Sequence, residues 1–225
     1  MSGAAFFDLD RTLLSRSSSL ALAGTFRKRG LIGRPQLAKA ALAQLVFARF
    51  GAGQARVGRT ANRAMTILQG LSVEVMHEIV EEAWEPVLRP LVYREAVDLT
   101  AEHAGRGEPV FIVSAALYEV VETIAQKLGL AGALASRAEV DDGVYTGRLE
   151  RRLYGPEKAT ALVELTTAEG LELASSTAYS DSHSDLPFLE AVGHPVVVNP
   201  DRALARVARA RDWPVRRFRH RLGRP

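Results

Sequence analysis

The first apolar run, Ala4-Ala5-Phe6-Phe7, is short, uninterrupted and ends in acidic residues. A run that is apolar at every position fits a parallel strand buried on both faces. From about Leu13 to Leu88 the rhythm changes to helical spacing. It shows at Leu20, Leu22 and Phe26, then at Leu37, Ala40, Ala41, Leu45 and Val46. It continues at Met65, Ile67 and Leu68, then at Val75, Met76, Ile79 and Val80. Gly30, Gly33-Arg34-Pro35, Gly51-Ala52-Gly53 and Gly70 divide this stretch into four or so helical segments.

Beyond Pro90 strands and helices alternate. A helix over Val92 to His103, closed by Gly105, precedes a strand at Pro109 to Ser114. Leu117, Val120, Val121, Ile124 and Leu128 make a helical stripe stopped by Gly129. Asp142-Gly143 supplies the turn of a hairpin over 139–147. Pro156 opens a helix that runs to about Glu169 and stops at Gly170. Strands follow at Ser176–Tyr179, Pro195–Val198 and Val215–Phe218, separated by helices near Leu186–Ala191 and Arg202–Arg211. The pattern predicts an α/β fold, with a Rossmann-like parallel sheet, helices on both faces and a helical insertion after the first strand. Such sheets bind ligands beyond the carboxyl ends of their strands.

Composition narrows the options. The 225 residues are 47% hydrophobic, enough for one catalytic domain with a sizeable insertion or for two small domains. There is no cysteine, which excludes disulfides, thiolate nucleophiles and thiolate metal sites. Met1-Ser2-Gly3 lacks a basic export region. The longest largely apolar stretch, Ala40 to Ala48, falls far short of the ~20 residues of a membrane span. A cytoplasmic protein without a transmembrane segment is expected.

The net charge of +3 conceals an asymmetry: residues 202–225 carry nine arginines and one acid, Asp212. The tail is basic and the body acidic, so no nucleic-acid partner is expected. The tail itself reads as a frayed, solvated terminus. The sharper alternative is a weak contact with an anionic membrane, at about 1 kcal/mol per basic residue.

The chemistry collects at strand ends. The first strand runs into Asp8-Leu9-Asp10-Arg11-Thr12, the second ends in Ser114, and a later one ends in Ser180-Asp181-Ser182-His183-Ser184-Asp185. Lys158 sits in the first turn of the Pro156 helix. These groups project onto one sheet edge, where carboxylates suit a hard cation while lysine and hydroxyls suit phosphate oxygens.

The chain resembles the haloacid dehalogenase superfamily, in particular its phosphoserine-phosphatase-like subfamily IB. Asp8-x-Asp10-x-Thr12 is similar to the first motif, Ser114 to the second, Lys158 to the third and Asp181-x-x-x-Asp185 to the fourth. The resemblance implies a catalytic core over 1–13 and 90–225, with a C1-type helical cap over 14–89. Asp8 would be the nucleophile that forms an aspartyl-phosphate, and Asp10 the general acid and base. Mg²⁺ would be held by Asp8, Asp181 and the Asp10 carbonyl. Thr12, Ser114, the backbone at Ala115, and Lys158 would hold the phosphate. Asp185 would pair with Lys158, hold a metal-bound water or simply cap the following helix. Ser184 would support the phosphate side.

The departures bear on substrate. Phosphoserine phosphatases carry a glutamate nine positions beyond the nucleophile to bind the substrate amine, and Ser17 stands there in this chain. No acid occurs between Asp10 and Glu74, and Arg16 favours an anionic or polyol substrate. Ala115-Ala116 replaces the glycines that often follow the second motif. Leu37–Phe50 is unusually apolar and either packs on its own bundle or lines a pocket for a lipid-like leaving group such as lysophosphatidate. The expected function is a Mg²⁺-dependent phosphomonoester phosphatase for a small or lipid-like phosphorylated substrate. Phosphoserine phosphatase and a catalytically idle binding scaffold are the alternatives. A dehalogenase is disfavoured because Asp10 would have no leaving group to protonate.

Overall fold

The computed structural model describes residues 2–33, 65 and 68–223. Seven strands form one sheet: β1 Ala5–Phe7, β2 Val110–Leu117, β3 Gly132–Asp141, β4 Val144–Arg151, β5 Thr177–Ser180, β6 His194–Val198 and β7 Val215–Arg216. They lie in the order β4-β3-β2-β1-β5-β6-β7. Neighbours run parallel throughout, except the β3–β4 hairpin. The chain first builds outward from β1 through β2, then returns to start the other side at β5. The sheet therefore has its topological switch at β1, where a ligand crevice is expected.

The apolar run of β1 is explained by the two faces it serves. Phe7 belongs to one core cluster and Phe6 to the other. Phe7 stacks on Tyr179 at 4.1 Å between ring centroids, and Phe6 on Phe111 at 5.9 Å. The Phe7 side is covered by α2 (Val73–Ala83), α3 (Arg94–Gly105) and α4 (Tyr118–Lys127), following α1 (Ser18–Lys28) in the chain. The Phe6 side is covered by α5 (Pro156–Glu169), α6 (Leu186–Glu190) and α7 (Arg202–Ala210). No described helix is long and apolar enough to cross a membrane.

The segment that leaves after β1 returns to the same place. Leu14 bridges Val92, Ser15 N–H donates to Leu91 O at 2.8 Å, and Tyr93 N–H donates to Leu13 O at 2.9 Å. Of the expected helical segments, α1 and α2 are the first and last. The apolar repeat at 37–46, and with it the Leu37–Phe50 stretch, lies outside the described residues. Helix α2 packs its Met76, Ile79, Val80 and Ala83 face inward, against α4.

Three expectations change. The hairpin is longer than 139–147, because β3 starts at Gly132 on small residues with no clear alternation. Strand β2 continues past Ser114 to Leu117 through a register irregularity. The tail is not frayed. Strand β7 is only two residues long, but Phe218 beyond it is 5% exposed and meets Tyr93 edge-on at 5.7 Å. The Asn199 side chain accepts from Phe218 N–H and donates to Phe218 O, both at 3.1 Å. Glu95 accepts from the N–H groups of Arg219 and His220, and Leu222 N–H donates to Val92 O. Phe218 and these hydrogen bonds anchor the tail while Arg216, Arg217, Arg219 and Arg221 around them stay exposed to water.

Candidate active site

Asp8 N–H donates to Tyr179 O at 2.9 Å, which carries the β1–β5 pairing one residue past the strand. The chain then turns sharply: Leu13 and Leu14 N–H groups both donate to Leu9 O, at 3.0 and 2.8 Å. Arg11 takes a left-handed φ of 66°, costly for a residue with a side chain. The turn brings Asp10 under the start of α1, where Ser18 N–H donates to Asp10 Oδ1 at 2.8 Å. Asp10 thus satisfies a first-turn N–H that the N-cap residue Ser17 leaves without a side-chain partner.

Lys158 arrives from the opposite face. Gly155, at φ 62°, bends the chain, Pro156 starts α5, and Lys158 follows in its first turn. Lys158 is almost closed to water, at 1% exposure, and its ammonium donates to Asp8 Oδ1 at 2.7 Å and to Asp185 Oδ2 at 2.8 Å. Ser180 Oγ donates to the same Asp185 oxygen at 2.8 Å. Asp185 is the N-cap residue of α6, yet its side chain makes no capping bond. It serves Lys158 instead.

Ser114 is buried, and its Oγ accepts from Ala116 N–H at 3.1 Å. Ala115 O accepts from Ser136 Oγ at 2.9 Å, and Ser136 Oγ accepts from Leu153 N–H. This web holds Ala115 and Ala116 in the irregular stretch where β2 loses its register with β3. Thr12 is fully buried, and its hydroxyl has no partner among the described residues. Ser184 bonds only to Ser182 among the described residues, at 2.9 Å between hydroxyls. His183 is a loop residue whose N–H donates to Asp201. Arg16 and Ser17 line a cavity of about 370 Å³ with Leu20, Ala21, Pro86, Val87, Pro90 and Leu91.

Burial and neighbouring charges perturb the acids of the site. Burial pushes the Asp8 carboxyl up to about 7 against the pull of Lys158, with the charges of Asp185 and Asp10 adding to the rise. Asp181 is pushed up to about 8 by burial and by the Asp8 charge, with Arg11 opposing. Asp10 is also raised by burial, against the hydrogen bonding of Ser18 and Ser17. Lys158 resists the cost of burial because Asp185 and Asp8 hold it charged. Asp181 is 7% exposed, and its carboxylate accepts no hydrogen bond among the described residues. Asp8 and Asp181 are therefore two buried, mutually repelling oxygen donors, a set that fits a hard divalent ion. No cluster of three acidic or histidine side chains with metal-binding spacing occurs among the described residues. A site of two carboxylates and a backbone carbonyl does not require one.

The structure brings Asp8 and Asp185 into direct contact with Lys158, with Asp181 close enough to feel the Asp8 charge. Two contributors escaped the sequence reading. Ser18 holds Asp10 through its main chain, for which the only signal is the serine run before Leu20. Ser180 orients Asp185 and is signalled only by its place at the strand end.

A family model of haloacid dehalogenase-like hydrolases matches residues 5–190, and the chain belongs to that family. Within it the chain is a phosphatase of the phosphoserine-phosphatase-like type. It is 44% identical over 215 residues to a probable phosphatase of Mycobacterium tuberculosis, covering 96% of this chain and 75% of that protein. It is 36% identical over 221 residues to a phosphoserine phosphatase of the same organism, covering 97% of this chain and 72% of that protein. A solved protein of unknown function from Bordetella pertussis Tohama I superposes with a TM-score of 0.83 at 31% identity, covering 96% of this chain and 98% of its own.

Proposed function

We propose that this phosphatase is a Mg²⁺-dependent phosphomonoesterase that works through a covalent phosphate on Asp8. The observation that carries the reading is the buried contact of Lys158 with Asp8, at 2.7 Å. A carboxylate attacks an anionic phosphate poorly until charge is neutralised. Lys158 supplies one positive charge. Mg²⁺, held by the carboxylates of Asp8 and Asp181 and the carbonyl of Asp10, would supply the rest.

Asp8 attacks phosphorus, the bond to the leaving oxygen breaks, and Asp10 gives that oxygen a proton. Asp10 then takes a proton from a water that attacks the same phosphorus, which breaks the bond to Asp8 and releases inorganic phosphate. Ser114, the backbone at Ala115, Thr12 and Lys158 hold the phosphoryl oxygens. Asp185 and Ser184 support them, and the segment 14–89 acts as the cap.

The substrate is a small or lipid-like phosphate ester rather than phosphoserine, because Ser17 stands where an acid would meet the amine. Phosphoserine is the second reading, favoured by the name of the relative at 36% identity. Hydrolysis of para-nitrophenyl phosphate with and without Mg²⁺, with Asp8→Asn as control, tests the chemistry. Inactivity on a broad phosphate panel would leave a binding scaffold. The exposed tail arginines are read as a weak contact for an anionic membrane. Unchanged sedimentation with anionic vesicles after Arg217→Glu, Arg219→Glu and Arg221→Glu would remove that part.

A further inference from the structure

The cavity at the start of α1 has the chemistry of an anion site with apolar walls. Ser17, which lines it, directly precedes Ser18, whose N–H holds Asp10 at 2.8 Å. The cavity wall thus lies one residue along the chain from the group that holds Asp10, the acid proposed to protonate the leaving oxygen. One wall is the start of α1, with Arg16, Ser17, Leu20 and Ala21, and the other is the returning segment with Pro86, Val87, Pro90 and Leu91. The 2.8 Å bond from Ser15 N–H to Leu91 O ties the two walls together. At about 370 Å³ the space lies within the range of small-ligand sites.

The lining is six apolar residues, one hydroxyl and one guanidinium, with no carboxylate. Arg16 is exposed and makes no ion pair among the described residues. Residues 11–73 contain eleven lysines and arginines and not one acid, so that stretch brings no carboxylate to an ammonium. On α2, Glu78 and Glu82 are committed to Arg29, and Glu81 to Lys127.

We infer that the leaving group has an apolar body and carries a second negative charge, a carboxylate or a phosphodiester, that is met by Arg16. The inference rests on the phosphatase reading above and names its substrate class. A cationic leaving group would face Arg16 with nothing to offset it, whereas a carboxylate gains a charge-assisted hydrogen bond.

The test compares phosphate esters of three leaving groups of similar size: para-hydroxyphenylacetate, para-ethylphenol and tyramine. The anionic ester is expected to exceed the neutral one by about tenfold in kcat/KM, with the cationic ester last. Arg16→Gln should flatten the order and Arg16→Glu should invert it. Phosphoglycolate, which keeps the charge but lacks the apolar body, should be slower than the aromatic anion.

Equal or faster hydrolysis of the tyramine ester by the wild type would overturn the charge assignment, as would an order unmoved by Arg16→Glu. Equal rates for phosphoglycolate would overturn the apolar part. If the wild type cleaves none of the esters and matches Asp8→Asn, the phosphatase reading itself has failed and the inference falls with it. Cleavage without discrimination sinks the inference alone.

Discussion

The ammonium of Lys158 lies 2.7 Å from Asp8 Oδ1, in a site from which both side chains are nearly shut off from water. On its other side the same ammonium bonds Asp185 at 2.8 Å. A lone buried charge is costly, and this one is tolerated because two carboxylates offset it. Lys158→Met leaves those carboxylates facing each other. It is expected to lower kcat/KM by about a hundredfold or more and to destabilise the fold by about 3 kcal/mol. Steady-state kinetics and denaturant unfolding measure the two effects. Asp185→Asn keeps an acceptor for Lys158 and should cost less in both.

Two glycines are fixed by contact rather than by backbone angle. A Cβ on Gly193 would stand 1.8 Å from Ala174 O, and one on Gly3 would stand 2.0 Å from Ser175 O. Both press on the turn before β5. Gly193→Ala and Gly3→Ala should each destabilise by roughly 1–3 kcal/mol, since backbone must move. Turnover per folded molecule should stay within about twofold of wild type, because the clash lies at the far end of β5 from Asp181. A lower melting temperature with unchanged KM is the expected signature.

The tail is a packed strap. Phe218→Ala should cost about 3 kcal/mol, as a buried phenylalanine does. It should also speed hydrogen exchange at the Asn199-bonded N–H of residue 218.

The strap is also sensitive to acid. Partial burial works against ionisation of Glu95, but the N–H groups of Arg219 and His220 hold its carboxyl down to about 2 from an ordinary 4.5. A carboxyl lowered on folding stabilises the fold fully above its unfolded value, and the contribution fades as pH falls towards the folded value. The stability gap between wild type and Glu95→Gln should therefore be widest above about pH 4.5 and close towards about pH 2. Denaturant midpoints across that window measure it. A constant gap would contradict the assignment.

Much of the fold was legible because its signals are local. The run Ala4 to Phe7, Pro156 with Gly170, and Asp142-Gly143 each carry their own physics, and each marks an element in the structure. The start of β3 was not legible, because Gly132-Ala133-Leu134-Ala135 has too little alternation to read as a strand. Tail docking was hidden for a different reason. Its partners Tyr93, Glu95 and Asn199 come from distant parts of the chain, and eight exposed or half-exposed positions disguise one buried Phe218. At the site, residue types and order pointed to Asp8, Asp10, Lys158 and Asp181, with Asp185 in support. What they could not show was the use of Ser18 main chain to hold Asp10, since any residue supplies an N–H.

The proposed chemistry turns on Asp8, and trapping its phosphate is the direct test. A substrate with radiolabelled phosphate is mixed with excess enzyme and Mg²⁺, quenched in acid and mapped by peptide. The label should appear on the peptide containing Asp8 and be absent in Asp8→Asn. With an ester whose leaving group departs without a proton, it should accumulate in Asp10→Asn, where hydrolysis lacks its base. Wild-type turnover by Asp8→Asn, or label on a peptide without Asp8, would contradict it.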